Sequence, residues 1–227
     1  QDIAGNLQTW QLAAPQAVAS LTGHGGQVYG IAWHPEGEKL VSVSSDKTVR
    51  LWDTAGRKPI RTLATLKDVL YSVQFSPEGK TVYVSGADRT VRELDAESGR
   101  ELRVFEGSKE VLYSVAVSPD GRQLAAAGTG LGPEREILVW NRDASEPVLR
   151  LSMKTDSVYR VQFDASGETL FVVGYNGRVE FFSLSEKKSL HERTVPSVVY
   201  SGTLSPDGKS FILATSGEQL LQYSIEK

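Results

Sequence analysis

Val28-Tyr29-Gly30-Ile31-Ala32-Trp33-His34-Pro35-Glu36-Gly37 is the run that decides the fold, because its landmarks return at a fixed distance. Tyrosine comes back at Tyr71, Tyr113, Tyr159 and Tyr200, at spacings of 42, 42, 46 and 41 residues. Six residues beyond each tyrosine stands Pro35, Pro77, Pro119, Ala165 or Pro206, and two further on Gly37, Gly79, Gly121, Gly167 or Gly208. A second ruler, through Trp10, Trp52, Leu94, Trp140, Phe182 and Tyr223, steps by 42, 42, 46, 42 and 41. Two independent rulers with one period establish an internal repeat. Both carry the same four extra residues, and their long intervals overlap between Tyr113 and Trp140. The insertion therefore falls in Gly128-Thr129-Gly130-Leu131-Gly132-Pro133, which reads as a flexible surface loop.

Inside each repeat the signal is β. Runs such as Gln27–Trp33, Lys39–Ser44 and Thr48–Asp53 are rich in Val, Ile, Tyr and Trp and are bounded by turn residues. Pro-Glu-Gly or Pro-Asp-Gly between the first two runs suits a tight turn, since proline presets φ and glycine accepts positive φ. Asp46-Lys47 and Asp88-Arg89 mark the next turn, and a fourth run ends at Leu21, Leu63, Phe105 or Leu151. No segment has helical periodicity. About forty residues carrying four short strands is the spacing of a propeller blade. The expectation is an all-β chain, a β-propeller of four-stranded antiparallel blades forming one domain over residues 1–227. It has a partial blade at 6–21, then blades at 22–63, 64–105, 106–151 and 152–193, and one at 194–227 lacking its last strand.

The chain resembles the WD-repeat β-propeller family over about residues 6 to 227. The first full unit carries the likeness best, with Gly23-His24 at one end and Leu51-Trp52-Asp53 at the other. Ser42 and Asp46 fall where that family places a buried relay of His, Ser/Thr, Asp and Trp, so the resemblance implies a structural relay of His24, Ser42, Asp46 and Trp52. A fully satisfied buried network of this kind stiffens a blade. Elsewhere the relay decays. The second unit has Leu66, Val84, Asp88 and Leu94 in those slots, and the third has Ser108, Glu134 and Trp140. The fourth keeps Asn176 and Phe182, and the fifth only Tyr223. In this family a ring usually closes by joining an N-terminal fourth strand to three C-terminal ones, and seven blades are commonest. Five full units and a partial one then imply the C-terminal part of a larger propeller, needing roughly 65 more residues upstream. The rival is a five-bladed ring completed by Ala17–Leu21. The chain begins at Gln1 and lacks the basic-then-apolar pattern of a signal peptide, so a removed upstream segment or a longer polypeptide is expected.

Composition narrows the chemistry. At 227 residues, 40% hydrophobic and 23% charged, the chain is globular and long enough to bury a sizeable core. A net charge of −3 argues against a duplex-binding basic face. Its apolar stretches are far shorter than the roughly 18–20 residues that span a bilayer. Without cysteine there are no disulfides, thiolate zinc sites, iron–sulfur clusters, haem attachment or cysteine nucleophile. His24, His34 and His191 form no metal-binding pair and no zincin motif. There is no Gly-x-Ser-x-Gly elbow, no phosphate loop and no glycosylation acceptor. Gly128, Gly130 and Gly132 precede a strand, so no helix N-terminus faces an anion there. Asp120, Asp164, Asp207, Glu36 and Glu78 sit beside turn glycines, and no Asp-x-Asp-x-Asp cluster offers calcium its oxygens. No catalytic residue, cofactor or metal is expected.

What remains is surface. By the resemblance, the loops before each first strand and after each second strand form one rim, where partners dock. That rim includes Gln27, Lys67, Asp68, Lys109, Glu110, Thr155 and Asp156, together with Gly25, Gly26, Pro196 and Ser197. The five tyrosines Tyr29, Tyr71, Tyr113, Tyr159 and Tyr200 each follow the apolar residue that opens a first strand. Strict alternation would put Tyr29 on the face of Ile31 and Trp33. The family pattern instead buries Val28, Ile31 and Trp33, which requires a bulge and turns the tyrosine out. Tyrosine is a large, rigid contact residue common among binding hot spots, although packing with each O–H on a carbonyl is the other reading. The expected function is a non-catalytic scaffold that presents a rigid rim to a partner protein or an adjacent domain, without nucleic acid or membrane insertion. Two alternatives stand beside it. Ser-Pro-Asp-Gly turns resemble bacterial members, where such propellers accompany a kinase, protease-like or cytochrome domain, and the tyrosines could line a peptide or small-ligand channel.

Overall fold

The short β-branched and aromatic runs fold into strands, and no helix occurs among the described residues. The structure is a computed structural model that describes residues 5–10, 17–217 and 220–225. The chain divides into two compact units, Gln1–Val104 and Phe105–Lys227. The first unit starts with a two-stranded hairpin, Leu7–Trp10 and Ala17–Leu21. Gln11 and Leu12, within the partial blade expected over 6–21, lie outside the described residues. Sheet I follows, with strands Val28–Trp33, Lys39–Ser44, Thr48–Asp53 and Lys58–Thr65. Sheet II has Leu70–Phe75, Thr81–Gly86, Val91–Asp95 and Glu101–Phe105, the last ending on the first residue of the second unit.

The second unit holds three sheets. Sheet III comprises Val111–Val117, Gln123–Thr129, Arg135–Asn141 and Leu149–Met153. Sheet IV comprises Val158–Phe163, Thr169–Gly174, Arg178–Ser183 and Lys188–Thr194. Sheet V has three strands, Val199–Leu204, Ser210–Thr215 and Leu220–Ser224. Every sheet is antiparallel, with strands in sequence order. The Pro-x-Gly turns join first to second strands. In sheet I, Gly37 takes φ +79° and its amide donates to the His34 carbonyl at 2.8 Å, the positive-φ position that glycine accepts without strain.

Each first strand contains a bulge at its tyrosine. Val28 pairs with Ser44 and Gly30 with Val43, so Tyr29 is the unpaired extra residue. The same register shift falls at Tyr71, Tyr113, Tyr159 and Tyr200. A bulge resets the alternation, so the residues two and four places beyond each tyrosine share the buried face with the opening one. In sheet II these are Val73 and Phe75, enclosed by Val41, Val43, Val49 and Leu51 of sheet I. In sheet IV they are Val161 and Phe163, enclosed by Ala125, Ala127, Ile137 and Val139 of sheet III. Within each unit, second and third strands of one sheet thus cover the first strand of the next.

Sheet I departs from this rule. Val28 is buried as expected, but Ile31 and Trp33 are each 51% exposed, against the burial that the sequence led us to expect. The reason is that the hairpin before sheet I provides only two strands. Its Leu7 and Leu21 pack with Val28, Leu40 and Trp52. No described strand lies where sheet I would otherwise find its neighbour's second strand. Equivalent slots in sheets I and II therefore carry different stakes. Phe75→Ala should cost about 3–5 kcal/mol of stability, whereas Trp33→Ala should cost about 1 kcal/mol or less, as read from urea denaturation of the two variants.

Candidate functional site

The loops that flank the tyrosines are held by polar side chains, and sheet I shows the most complete arrangement. His24 Nδ1 lies 2.9 Å from Asp46 Oδ2 and Nε2 lies 2.6 Å from Ser42 Oγ. Trp52 Nε1 donates to the same Ser42 Oγ at 2.7 Å. A neutral imidazole satisfies the whole chain: Nδ1–H donates to Asp46, and Nε2 accepts the Ser42 O–H. Asp46 also accepts the Gly25 amide at 2.8 Å and the Thr48 amide at 2.9 Å. One carboxylate therefore ties the loop before the first strand to the turn after the second. Burial would raise the Asp46 pKa, but hydrogen bonds from Thr48, His24 and Gly25 hold it well below the usual carboxylate range. Burial lowers the His24 pKa, and the pull of Asp46 only partly offsets it.

Sheet III reaches the same end with other residues. Ala126 stands opposite Leu138 in mid-strand, where sheet I has Ser42, so Trp140 has no hydroxyl to meet. Its Nε1 donates instead to the Glu106 carbonyl at 3.0 Å. Ser108, in the histidine slot, only caps its own loop through the Glu110 amide at 3.1 Å. Glu134 is exposed. The charged partner that bridges the two loops is its neighbour Arg135, whose Nη1 donates to Glu110 Oε1 at 2.9 Å. The sequence reading missed Arg135, because the relay pattern calls for an acid at this turn and a base in the preceding loop, and here the polarity is reversed. In sheet II, Arg92 pairs with Asp88 at 2.8 Å and Glu101 at 2.6 Å. In sheet IV, Asn176 donates to the Lys154 carbonyl at 3.3 Å.

On these braced edges the tyrosines meet ring to ring. In the first unit Tyr29 and Tyr71 have centroids 5.1 Å apart. In the second unit Tyr113 meets Tyr159 at 5.7 Å, Tyr159 meets Tyr175 at 5.5 Å, and Tyr175 meets Tyr200 at 6.5 Å. Tyr175, from the turn after the second strand of sheet IV, is an extra rung outside both sequence rulers. Tyr29 is 39% and Tyr200 56% exposed, and the other three bulge tyrosines are half-buried. Burial and then the neighbouring phenols raise the Tyr159 pKa, which keeps that rung neutral.

The remaining surface residues divide. Gln27, Lys67, Lys109 and Asp156 are exposed, and Asp68 accepts the Val69 amide while half-buried. Glu110 and Thr155 do not belong to an open surface. Glu110 turns inward onto Arg135, and Thr155 is buried with its hydroxyl on the Ser157 carbonyl at 3.1 Å. Both are consumed in bracing the loops. Among the described residues no group of three His, Asp or Glu side chains could hold a metal ion, and no helix is long and apolar enough to cross a membrane.

Comparison with known families agrees with this geometry. The family model described as WD domain, G-beta repeat (WD40) matches residues 15–53, 57–93 and 99–141, together just over half of the chain. The chain belongs to the WD40 family. Each matched segment spans the last strand before a sheet and the first three strands of that sheet. Beyond residue 141 the strand order and the tyrosine bulge of WD40 sheets I to III recur in sheet IV. No curated protein matches the chain. WD40 repeats in general serve as protein-interaction scaffolds and are generally non-catalytic.

The relay makes a pH prediction. The fold favours neutral His24, so its contribution is full above the unfolded imidazole pKa near 6.5 and is lost as pH falls from there through the lower folded pKa. Asp46 adds stability that persists to pH near 4 and disappears only in stronger acid. The thermal midpoint should therefore drop between about pH 7.5 and pH 5. His24→Asn should flatten that part of the profile, as measured by calorimetry.

Proposed function

We propose that this WD40 chain is a non-catalytic scaffold, its sheets disposed as propeller blades, which binds a partner protein or an adjacent domain through the tyrosine ladders. The observation that carries this reading is the bulge at all five first-strand tyrosines. A phenol that stayed on the buried face would pack like any core aromatic. Here a shift of strand register turns each ring onto the edge, and Tyr29 and Tyr200 leave large faces open to solvent. Such rings bind with little ordering cost, since only two side-chain torsions need to be fixed, and braced loops add contacts without loss of loop entropy.

The half-open faces of Ile31 and Trp33 support a second reading at the other scale. Strands outside residues 1–227 would lie against sheet I, and the whole polypeptide would be a larger propeller. Intact mass and N-terminal sequencing of the native protein test it: a product that begins near Gln1 would sink it. For the ladder, Tyr200→Ala should weaken a purified partner about tenfold or more, with unchanged thermal stability. A partner that tolerates alanine at Tyr29, Tyr113 and Tyr200 alike would remove the tyrosines from the interface.

A further inference from the structure

Four of the five first strands carry a small residue just after the bulge tyrosine: Gly30, Ser72, Ser114 and Ser201. In sheet IV that slot holds Arg160. The next slot runs the other way, with Ile31, Val73, Val115 and Val161 in sheets I to IV and Gly202 in sheet V. The two slots meet across a seam between sheets. Between sheets III and IV, Ser114 Oγ accepts the Val161 amide at 3.1 Å. The corresponding pair between sheets IV and V is Arg160 and Gly202, the largest residue of one series with the smallest of the other.

The register fixes the side on which Arg160 lies. It stands opposite Val173, and directly paired residues of adjacent strands share a face. Val173 packs in one cluster with Val199 and Leu213 of sheet V, and a Cβ at Gly202 would fall 3.1 Å from its Cγ2. Two places on from Arg160, Gln162 Oε1 accepts the Leu204 amide at 3.2 Å. Arg160 is thus a cation set into the seam with sheet V. Its Nε is shut off from solvent without a hydrogen-bond partner, whereas Nη1 and Nη2 are not enclosed. Among the described residues no carboxylate pairs with it, and burial lowers its pKa with no opposing charge nearby. The other arginines set into the sheets are compensated. Arg135 donates to Glu110 and to the Leu131, Gly132 and Thr155 carbonyls, and Arg92 and Arg178 each meet two carboxylates. A charge drawn out of water is costly unless a counter-charge and hydrogen bonds answer it.

We propose that Arg160 is an oxyanion-binding residue, whose Nη1 and Nη2 hold a carboxylate or phosphate group at the seam between sheets IV and V. The planar guanidinium presents two parallel N–H donors to such a group, and a partly desolvated charge attracts it more strongly than a fully hydrated one. The glycine and serines in the same slot of the other four sheets offer no charge, so sheet IV alone has this site among the described first strands. It stands or falls independently of the tyrosine ladder.

The test follows the thermal midpoint of the full-length protein in sodium phosphate, sodium acetate and sodium chloride at equal ionic strength. An oxyanion should raise the midpoint by a few degrees in a saturable way, with half-saturation on the order of 1 mM. A rise with phosphate alone assigns a phosphate group, and a rise with acetate assigns a carboxylate. Phosphate also stabilises proteins through exclusion from their surface, so the comparison is with Arg160→Met, which keeps most of the side-chain length and removes the charge. That variant should show no saturable rise, and in chloride it should melt no lower than the wild type, because an apolar replacement relieves an unpaired buried charge. Where Arg160→Met fails to fold, Arg160→Lys keeps the charge without the planar fork and should raise the half-saturation concentration about tenfold. Equal responses in wild type and variant, or a wild type indifferent to both oxyanions, overturn the proposal.

Discussion

One register-shifting residue in each first strand is the constraint on which the rest of the architecture turns. Without it, period-two alternation would carry each tyrosine into the same face as the residues two and four places on, and the apolar seam between sheets would lose its opening residue. With it, Val28, Leu70, Leu112, Val158 and Val199 are buried, and the tyrosine beside each is displaced to the edge. Burial and display are thus two consequences of the same backbone irregularity. In sheets II and III the register also demands glycine opposite the opening residue. At Gly86 and Gly128 an added Cβ would come within 2.3 and 1.9 Å of the carbonyls of Val69 and Val111.

The loops beside the bulges need a fixed electrostatic brace, and the repeats solve this differently. Sheet I uses a neutral histidine between a carboxylate and a serine, and sheet III uses a buried arginine against a glutamate. Both join the loop before the first strand to the turn after the second. They differ in what they also hold. Asp46 saturates itself on its own turn and the histidine loop, whereas Arg135 reaches the longer crossing of sheet III and gives it a defined shape. The insertion is therefore accommodated by a new donor with a wider fork, as the planar guanidinium allows.

Much of this was legible in the residues. Two rulers of one period located five tyrosines, the turns and the insertion, and the resemblance to WD repeats at Gly23-His24, Ser42, Asp46 and Trp52 implied a shared polar network. Periodicity is local, so a chain that repeats its turns and apolar positions announces its strands. Arg135 escaped because its role depends on Glu110 and Thr155, which lie 25 and 20 residues away and follow no shared pattern. Tyr175 escaped because it belongs to neither ruler and gains meaning only from the rings beside it. Ile31 and Trp33 were expected inside because the WD-repeat pattern buries those slots. Whether they are covered depends on the neighbouring sheet, not on their own.

The sequence alone determined the repeat, the all-β class and the turn chemistry, because each is set by short-range backbone preference and by alternation along one strand, while the need for a bulge came from the resemblance to WD repeats. The tertiary structure decided which tyrosines meet, which charged residues are spent as braces and which apolar residues remain open. Those outcomes depend on groups from different repeats being brought within a few ångströms of one another, a separation that no spacing along the chain encodes.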